Sequence, residues 1–242
     1  MSDHPRAYYV RTARTFRKRR YLLVKGILPQ TLLDYLKVYY AILMANNRFG
    51  TDHQCPSSLS LGGDAALDAV LEWIRPEVGK LVGFELAPTY SYTRQYAKRE
   101  VLTRHTDRAA CEISVTAAIQ IPKGAGPSVV HLKPPNFDET KVEMFEGDGC
   151  VYAGTEVEHW RERFRVGGYI QLFLHFIAKH GCNYPKLIFD ERECLGAGYT
   201  ETKRKKRFDI PYQDKPKLIP QGMDKVSKPL RRRTPALRSP TP

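Results

Sequence analysis

The period of the apolar positions changes along this chain. From Pro29 the run LPQTLLDYLKVYYAILMANN sets Leu32, Leu33, Leu36, Tyr39, Tyr40 and Leu43 at spacings of one, three and four, which predicts a helix with one buried stripe ending near Asn46 and Asn47. A second helix begins after Asp64, a residue suited to cap it, and gathers Leu67, Val70, Leu71 and Ile74 on one face. Pro76 is expected to kink it or to leave PEVGKLVG as a short separate helix. Ahead of both, YLLVKGIL (21–28) reads as a strand. From Phe84 the texture changes to FELAPTYSYTRQYA, CEISVTAAIQI, SVVHLKP, KVEMFEG, GCVYAGTEVEHW and YIQLFLHFIA, short β-branched or aromatic runs between Gly, Pro and Asn/Asp turns. Helices followed by six or seven such strands predict an α+β domain whose core is a sandwich or barrel.

Charge divides the chain differently. Residues 1–20 carry seven basic side chains against Asp3 alone, and residues 201–242 carry thirteen basic against four acidic, so the formal charge of +13 resides at the two ends. Four segments follow: a basic N-terminal arm (1–20), a folded domain (21–183), a linker (184–200) and a basic, Pro-rich, disordered tail (201–242). The tail has too little apolar surface to offset its ordering entropy. Both ends should attract a polyanion such as nucleic acid or acidic lipid.

Five cysteines without a CxxC pair argue against a disulfide framework and for a reducing cytoplasmic or nuclear setting. No run of apolar residues is long enough for a membrane span.

The chemistry concentrates in LTRHTDRAACEISVT. His105 and Asp107, two apart, project from one side of an extended segment and can take two adjacent positions on a divalent metal. His159, between the strands VYAGT and YIQLFLHFI, is the distant histidine placed to complete a 2-His-1-carboxylate face with open positions. His131 and His175 read as core histidines. Two histidines and a carboxylate also suit zinc with a water in the fourth position.

TYSYTRQYAKREVLTRHTDRAACEISVTAAI and FEGDGCVYAGTEVEHWRERFRVGGYIQLFLHFI together resemble the Fe(II)- and 2-oxoglutarate-dependent dioxygenases, in particular their prolyl 4-hydroxylase-like branch. The resemblance covers roughly residues 20–180. It implies a double-stranded β-helix, a jelly-roll or cupin-like barrel, supported by N-terminal helices. It also implies His105, Asp107 and His159 as catalytic iron ligands, with 2-oxoglutarate and O2 as co-substrates.

Members of that family carry a basic anchor for the distal carboxylate of 2-oxoglutarate about ten residues after the second histidine. Gly167, Gly168 and Tyr169 occupy that window here. Arg161 is therefore the expected anchor, with Arg163 and Arg165 as substitutes, because a guanidinium grips a carboxylate through two parallel hydrogen bonds. Tyr96 is expected to hydrogen-bond the co-substrate, and Gln171 is read as a site residue or part of a buried network. Arg108 is expected to form a structural ion pair, with Glu112, in preference to anchoring substrate. The implied reaction hydroxylates a C–H bond of a peptidyl residue, prolyl or other, while 2-oxoglutarate is decarboxylated to succinate. Two alternatives stand beside it: a nucleic-acid-modifying oxygenase, and a non-catalytic nucleic-acid-binding protein with a metal-binding barrel.

Overall fold

The structure, a computed structural model, describes residues 5–197. The segment 201–242, read as a disordered tail, lies outside the described residues. Ten strands build two antiparallel sheets: β1 (Tyr21–Val24), β2 (Leu59–Gly62), β3 (Leu86–Tyr96), β4 (Leu102–His105), β5 (Ile113–Gln120), β6 (Ser128–Lys133), β7 (Thr140–Met144), β8 (Gly149–Tyr152), β9 (Glu158–Arg161) and β10 (Tyr169–Ala178). The six-stranded sheet runs β1-β8-β5-β10-β3-β2 and the four-stranded sheet β4-β9-β6-β7. From β3 to β10 the chain changes sheet at every connection except β6 to β7, a hairpin within the smaller sheet.

Three helices accompany the sheets: α1 (Pro5–Arg19), α2 (Gln30–Ala45) and α3 (Ala65–Val82). The stripe of α2 buries Leu33, Leu36, Tyr40 and Leu43. Asp64 caps α3 as expected, accepting hydrogen bonds from the backbone of Ala66 at 3.0 Å and Leu67 at 3.2 Å. The helix then continues through Pro76 without a break. Proline forfeits one backbone hydrogen bond, but the turns beyond it bury Val78, Leu81 and Val82, and their burial keeps the helix running.

Strand alternation carries both faces of β3. Ser91 and Thr93 turn to the helices, where Ser91 donates to Asp68 at 2.6 Å and the Tyr40 hydroxyl meets Thr93. Tyr90, Tyr92 and Arg94 turn to the opposite face, which lines a cavity.

Two expectations fail here. Most of the segment read as a basic arm is helix: α1 docks on α3, with Phe16 fully buried and a Cβ on Gly83 (φ 87°) meeting Ala13 Cβ at 2.7 Å. The apolar side of α1 escaped notice because cations dominate its composition. Residues 184–197, read as linker, pack back onto the body. Arg192 donates to Asp68 at 2.6 Å and to the Thr89 carbonyl at 3.0 Å, both buried. Asp190 takes Arg108 through two bonds of 2.5 Å, so Arg108 pairs with Asp190 and not with Glu112. Periodicity fades in this segment because ion pairs, not an apolar stripe, hold it. No helix among the described residues is long and apolar enough to cross a membrane.

Candidate metal centre

His105 closes β4 and is the register partner of His159 on β9. The rings sit 4.3 Å apart. The backbone then leaves β4, and Asp107 NH donates to the Gly154 carbonyl at 2.8 Å, which swings the carboxylate back over both imidazoles. Asp107 Oδ1 lies 3.7 Å from His105 Nε2 and 3.4 Å from His159 Nε2. Each histidine has its other nitrogen against a backbone carbonyl, His105 Nδ1 on Thr103 at 2.8 Å and His159 Nδ1 on Val157 at 2.9 Å. A carbonyl can only accept, so both Nδ1 atoms carry the proton and both Nε2 lone pairs face the carboxylate. The ligand atoms of all three lie within 4.8 Å of one another, as a divalent ion requires.

Electrostatics favours the deprotonated donors. Burial and the neighbouring His159 ring hold His105 below its usual value. Burial alone would push the Asp107 carboxyl up, but His159, His175 and the Ser114 hydroxyl outweigh it and hold it below the ordinary range. Ser114 donates to Asp107 Oδ2 at 2.9 Å. Its oxygen is 2.9 Å from Nδ1 of His175, a buried ring whose pKa burial lowers to about 4. Asp107, Cys111 and His175 form a second close group, in which burial raises the Cys111 thiol to about 12.

These residues line a cavity of about 710 Å³. Arg161, two residues beyond His159 on β9, is another of its walls and is 1 % exposed. Its guanidinium donates to Ser128 Oγ (2.9 Å), Val129 O (2.8 Å), Thr116 Oγ1 (3.1 Å) and Gln171 Oε1 (3.2 Å), all neutral acceptors. No carboxylate pairs with it among the described residues. Arg94, the other buried guanidinium of the cavity, is paired with Asp52 at 2.7 Å.

The remaining expected site residues divide. Gln171 is part of a buried network: it holds Arg161 and donates to Ser128 Oγ at 2.8 Å. Tyr96 stands behind the cavity wall, stacked on Phe164 at 4.4 Å, with Arg161 5.5 Å from its ring centroid and its hydroxyl without a partner among the described residues. Arg163 and Arg165 are exposed and do not line the cavity, because the chain has left β9 before reaching them. His175 is the buried core histidine its sequence suggested, while sequence reasoning missed Ser114, Thr116 and Tyr152, whose hydroxyl lies 3.5 Å from His159 Nε2. The signal for two of them was present: in CEISVTAAIQI, Ser114 and Thr116 are polar residues at one parity of an otherwise apolar buried strand.

No protein-family model matches the chain, and no curated protein is detectably similar to it in sequence. Solved structures are similar in fold. A prolyl-4-hydroxylase of Pseudomonas putida superposes with a TM-score of 0.57 at 13% identity over 69% of this chain and 97% of the other. A prolyl hydroxylase of Trichoplax adhaerens, in complex with a hypoxia inducible factor peptide fragment, gives 0.58 at 9% identity over 71% and 90%. The chain shares the fold of the 2-oxoglutarate/Fe(II) oxygenases. The epimerase SnoN of nogalamycin biosynthesis, in complex with Fe3+, α-ketoglutarate and nogalamycin RO, gives 0.56 at 14% identity over 71% and 84%. This oxygenase fold therefore accompanies both a peptide and a small-molecule ligand among its neighbours.

Proposed function

We propose that the protein is an Fe(II)- and 2-oxoglutarate-dependent oxygenase that hydroxylates a peptidyl residue, prolyl or other. The observation that carries this reading is the pair of Nε2 lone pairs turned onto Asp107 Oδ1. Two imidazoles and one carboxylate on one side of an ion leave positions on the other side for co-substrate and O2, the donor set of non-haem Fe(II) oxygenases. The alternation of β3 to β10 between two sheets supports reading the body as a double-stranded β-helix, with the site between the sheets.

When bound, iron and 2-oxoglutarate supply the oxidising chemistry, decarboxylation to succinate coupled to C–H hydroxylation. The chain's own residues do the rest. The Thr103 and Val157 carbonyls keep both histidines in the tautomer that presents Nε2. Ser114 holds Asp107 Oδ2 and leaves Oδ1 for the metal. Arg161 provides a buried positive charge that no carboxylate among the described residues neutralises, an arrangement costly without an anion and suited to the distal carboxylate of 2-oxoglutarate. Tyr96 backs the Arg161 guanidinium with its ring face from behind the wall. Leu102, Val130 and Phe173 exclude water from the cavity wall. The peptide bound to the Trichoplax neighbour supports a peptidyl substrate.

Anaerobic titration with Fe(II), with and without 2-oxoglutarate, tests this reading. A metal-to-ligand charge-transfer band should appear only with both present and be lost in His159→Ala. Tight retention of zinc with no response to 2-oxoglutarate would overturn it. Succinate release and an added oxygen on proline-containing peptides then test the substrate.

A further inference from the structure

Five of the six basic residues of helix α1 gather on one side of its axis, and the sixth, Arg19 at the C-terminal end, lies on the other. Phe16 is fully buried, and Tyr8 and Tyr9 pack against the core on the same side; Tyr9 also donates to Glu77 of α3 at 2.7 Å. At about 100° per residue, Arg6, Arg11, Arg14, Arg17 and Lys18 fall within an arc of about 140° on the opposite side. All five are exposed, and the helix contains no acidic residue. Arg6, Arg14, Arg17 and Lys18 have no carboxylate partner among the described residues. Arg11 lies over the Tyr8 ring. The cations extend over about 18 Å of axis, so they form a line and not a point.

From this geometry we infer that the exposed face of α1 is a docking surface for the phosphate backbone of nucleic acid. Charge complementarity decides the class of partner. Nucleic acid offers a regular row of anions, about one per 3.4 Å along each strand, and guanidiniums engage phosphate oxygens through paired hydrogen bonds. A membrane surface fits poorly. An interfacial helix must insert its apolar side, and that side is already spent on α3 and the core, leaving Val10 as the single large apolar residue exposed on α1. The row makes no base contacts of its own, so binding through it should be salt-dependent and indifferent to sequence. The face lies outside the cavity described above and takes no part in the proposed reaction.

The experiment is fluorescence anisotropy of the full chain with labelled duplex DNA and single-stranded RNA across a salt series. Arg14→Glu/Lys18→Glu reverses two charges of the row, one turn apart on the helix. Arg163→Glu/Arg165→Glu makes the same change in net charge on an exposed loop elsewhere. The α1 variant should lose roughly tenfold or more in affinity at low salt. Its log–log salt slope on duplex DNA should flatten by about two. The loop variant should stay within about twofold of the wild type. Circular dichroism of both variants confirms that the fold is kept. The inference is overturned if the α1 variant binds with unchanged affinity and slope, if both variants lose equally, or if α1 matters for anionic phosphatidylserine vesicles and not for nucleic acid.

Discussion

Ser114 donates its hydroxyl proton to Oδ2 of Asp107 across 2.9 Å, and its oxygen lies the same distance from Nδ1 of His175. With the proton committed to the carboxylate, the hydroxyl oxygen accepts from His175, which burial keeps neutral and this bond fixes as the Nδ1–H tautomer. A chain of two hydrogen bonds thus sets which carboxylate oxygen faces the two imidazoles. Ser114→Ala should lower Fe(II) or Co(II) affinity by roughly 10- to 100-fold, the usual cost of losing a partner behind a metal ligand. Titration of the metal-free protein followed by the Co(II) visible spectrum reads this directly, and unchanged affinity would show that Asp107 needs no such support.

Gly154 sits where no side chain fits. A Cβ there would approach the Cys111 carbonyl at 2.3 Å and Asp107 Oδ2 at 2.5 Å. Gly154→Ala should therefore displace Asp107 and cost metal binding as well as stability. A variant that folds and binds metal like the wild type refutes that crowding.

Arg161 and Arg163 are two residues apart with opposite fates, one a buried cavity wall and one solvated. Arg161→Ala should weaken 2-oxoglutarate binding by roughly 10- to 100-fold, the worth of a charge-assisted hydrogen bond at about 1.5–3 kcal/mol. Arg163→Ala should change nothing. Tyr96→Phe deletes a hydroxyl that has no partner among the described residues and stands behind the wall, so stability should hold or rise and 2-oxoglutarate binding should be kept. The charge-transfer band titrated with 2-oxoglutarate separates Arg161→Ala from the other two variants.

The buried His175 makes stability pH-dependent. Its folded pKa, about 4, lies below the ordinary 6.5, so the unfolded chain binds the extra proton first. The stabilisation is complete above pH 6.5 and drains away as pH falls toward 4, by about 3 kcal/mol. Urea midpoints of the metal-free protein should fall across that window, and His175→Gln should flatten the fall. Parallel curves for the two proteins would assign the loss to other groups.

Arg192 and Asp68 form an ion pair buried on both sides, at 2.6 Å. Arg192→Ala would leave Asp68 beneath the C-terminal strap without its cation and should destabilise the protein by about 3–5 kcal/mol. Chemical denaturation measures it, and a loss below about 1 kcal/mol would make 184–197 the loose connector its sequence suggested.

The regular elements were legible where one physical signal dominated. The stripe of α2, the Asp64 cap and the strands β3, β5, β6, β7 and β10 follow from periodicity, because burying one face imposes a spacing that survives in the sequence. GCVYAGTEVEHW, one run in the sequence, becomes β8 and β9 in different sheets, since Ala153 and Gly154 turn the chain between them. Helix α1 was illegible for the opposite reason: its charges outweigh a narrow buried side built on Phe16. Strand β2, LSLG, is four residues, too short for its alternation to stand out.

The sequence by itself determined helices α2 and α3 and the longer strands that follow them, the pairing of His105 with Asp107 at a spacing of two, and the absence of a basic residue from the usual anchor window. Those are local facts, set by spacing along one chain. Only the tertiary structure decided that His159 stands opposite His105, that Arg161 is enclosed while Arg163 is not, and that His175 supports Asp107 through Ser114. Each of these depends on strand register between distant segments, where a slip of one residue turns a side chain to the other face.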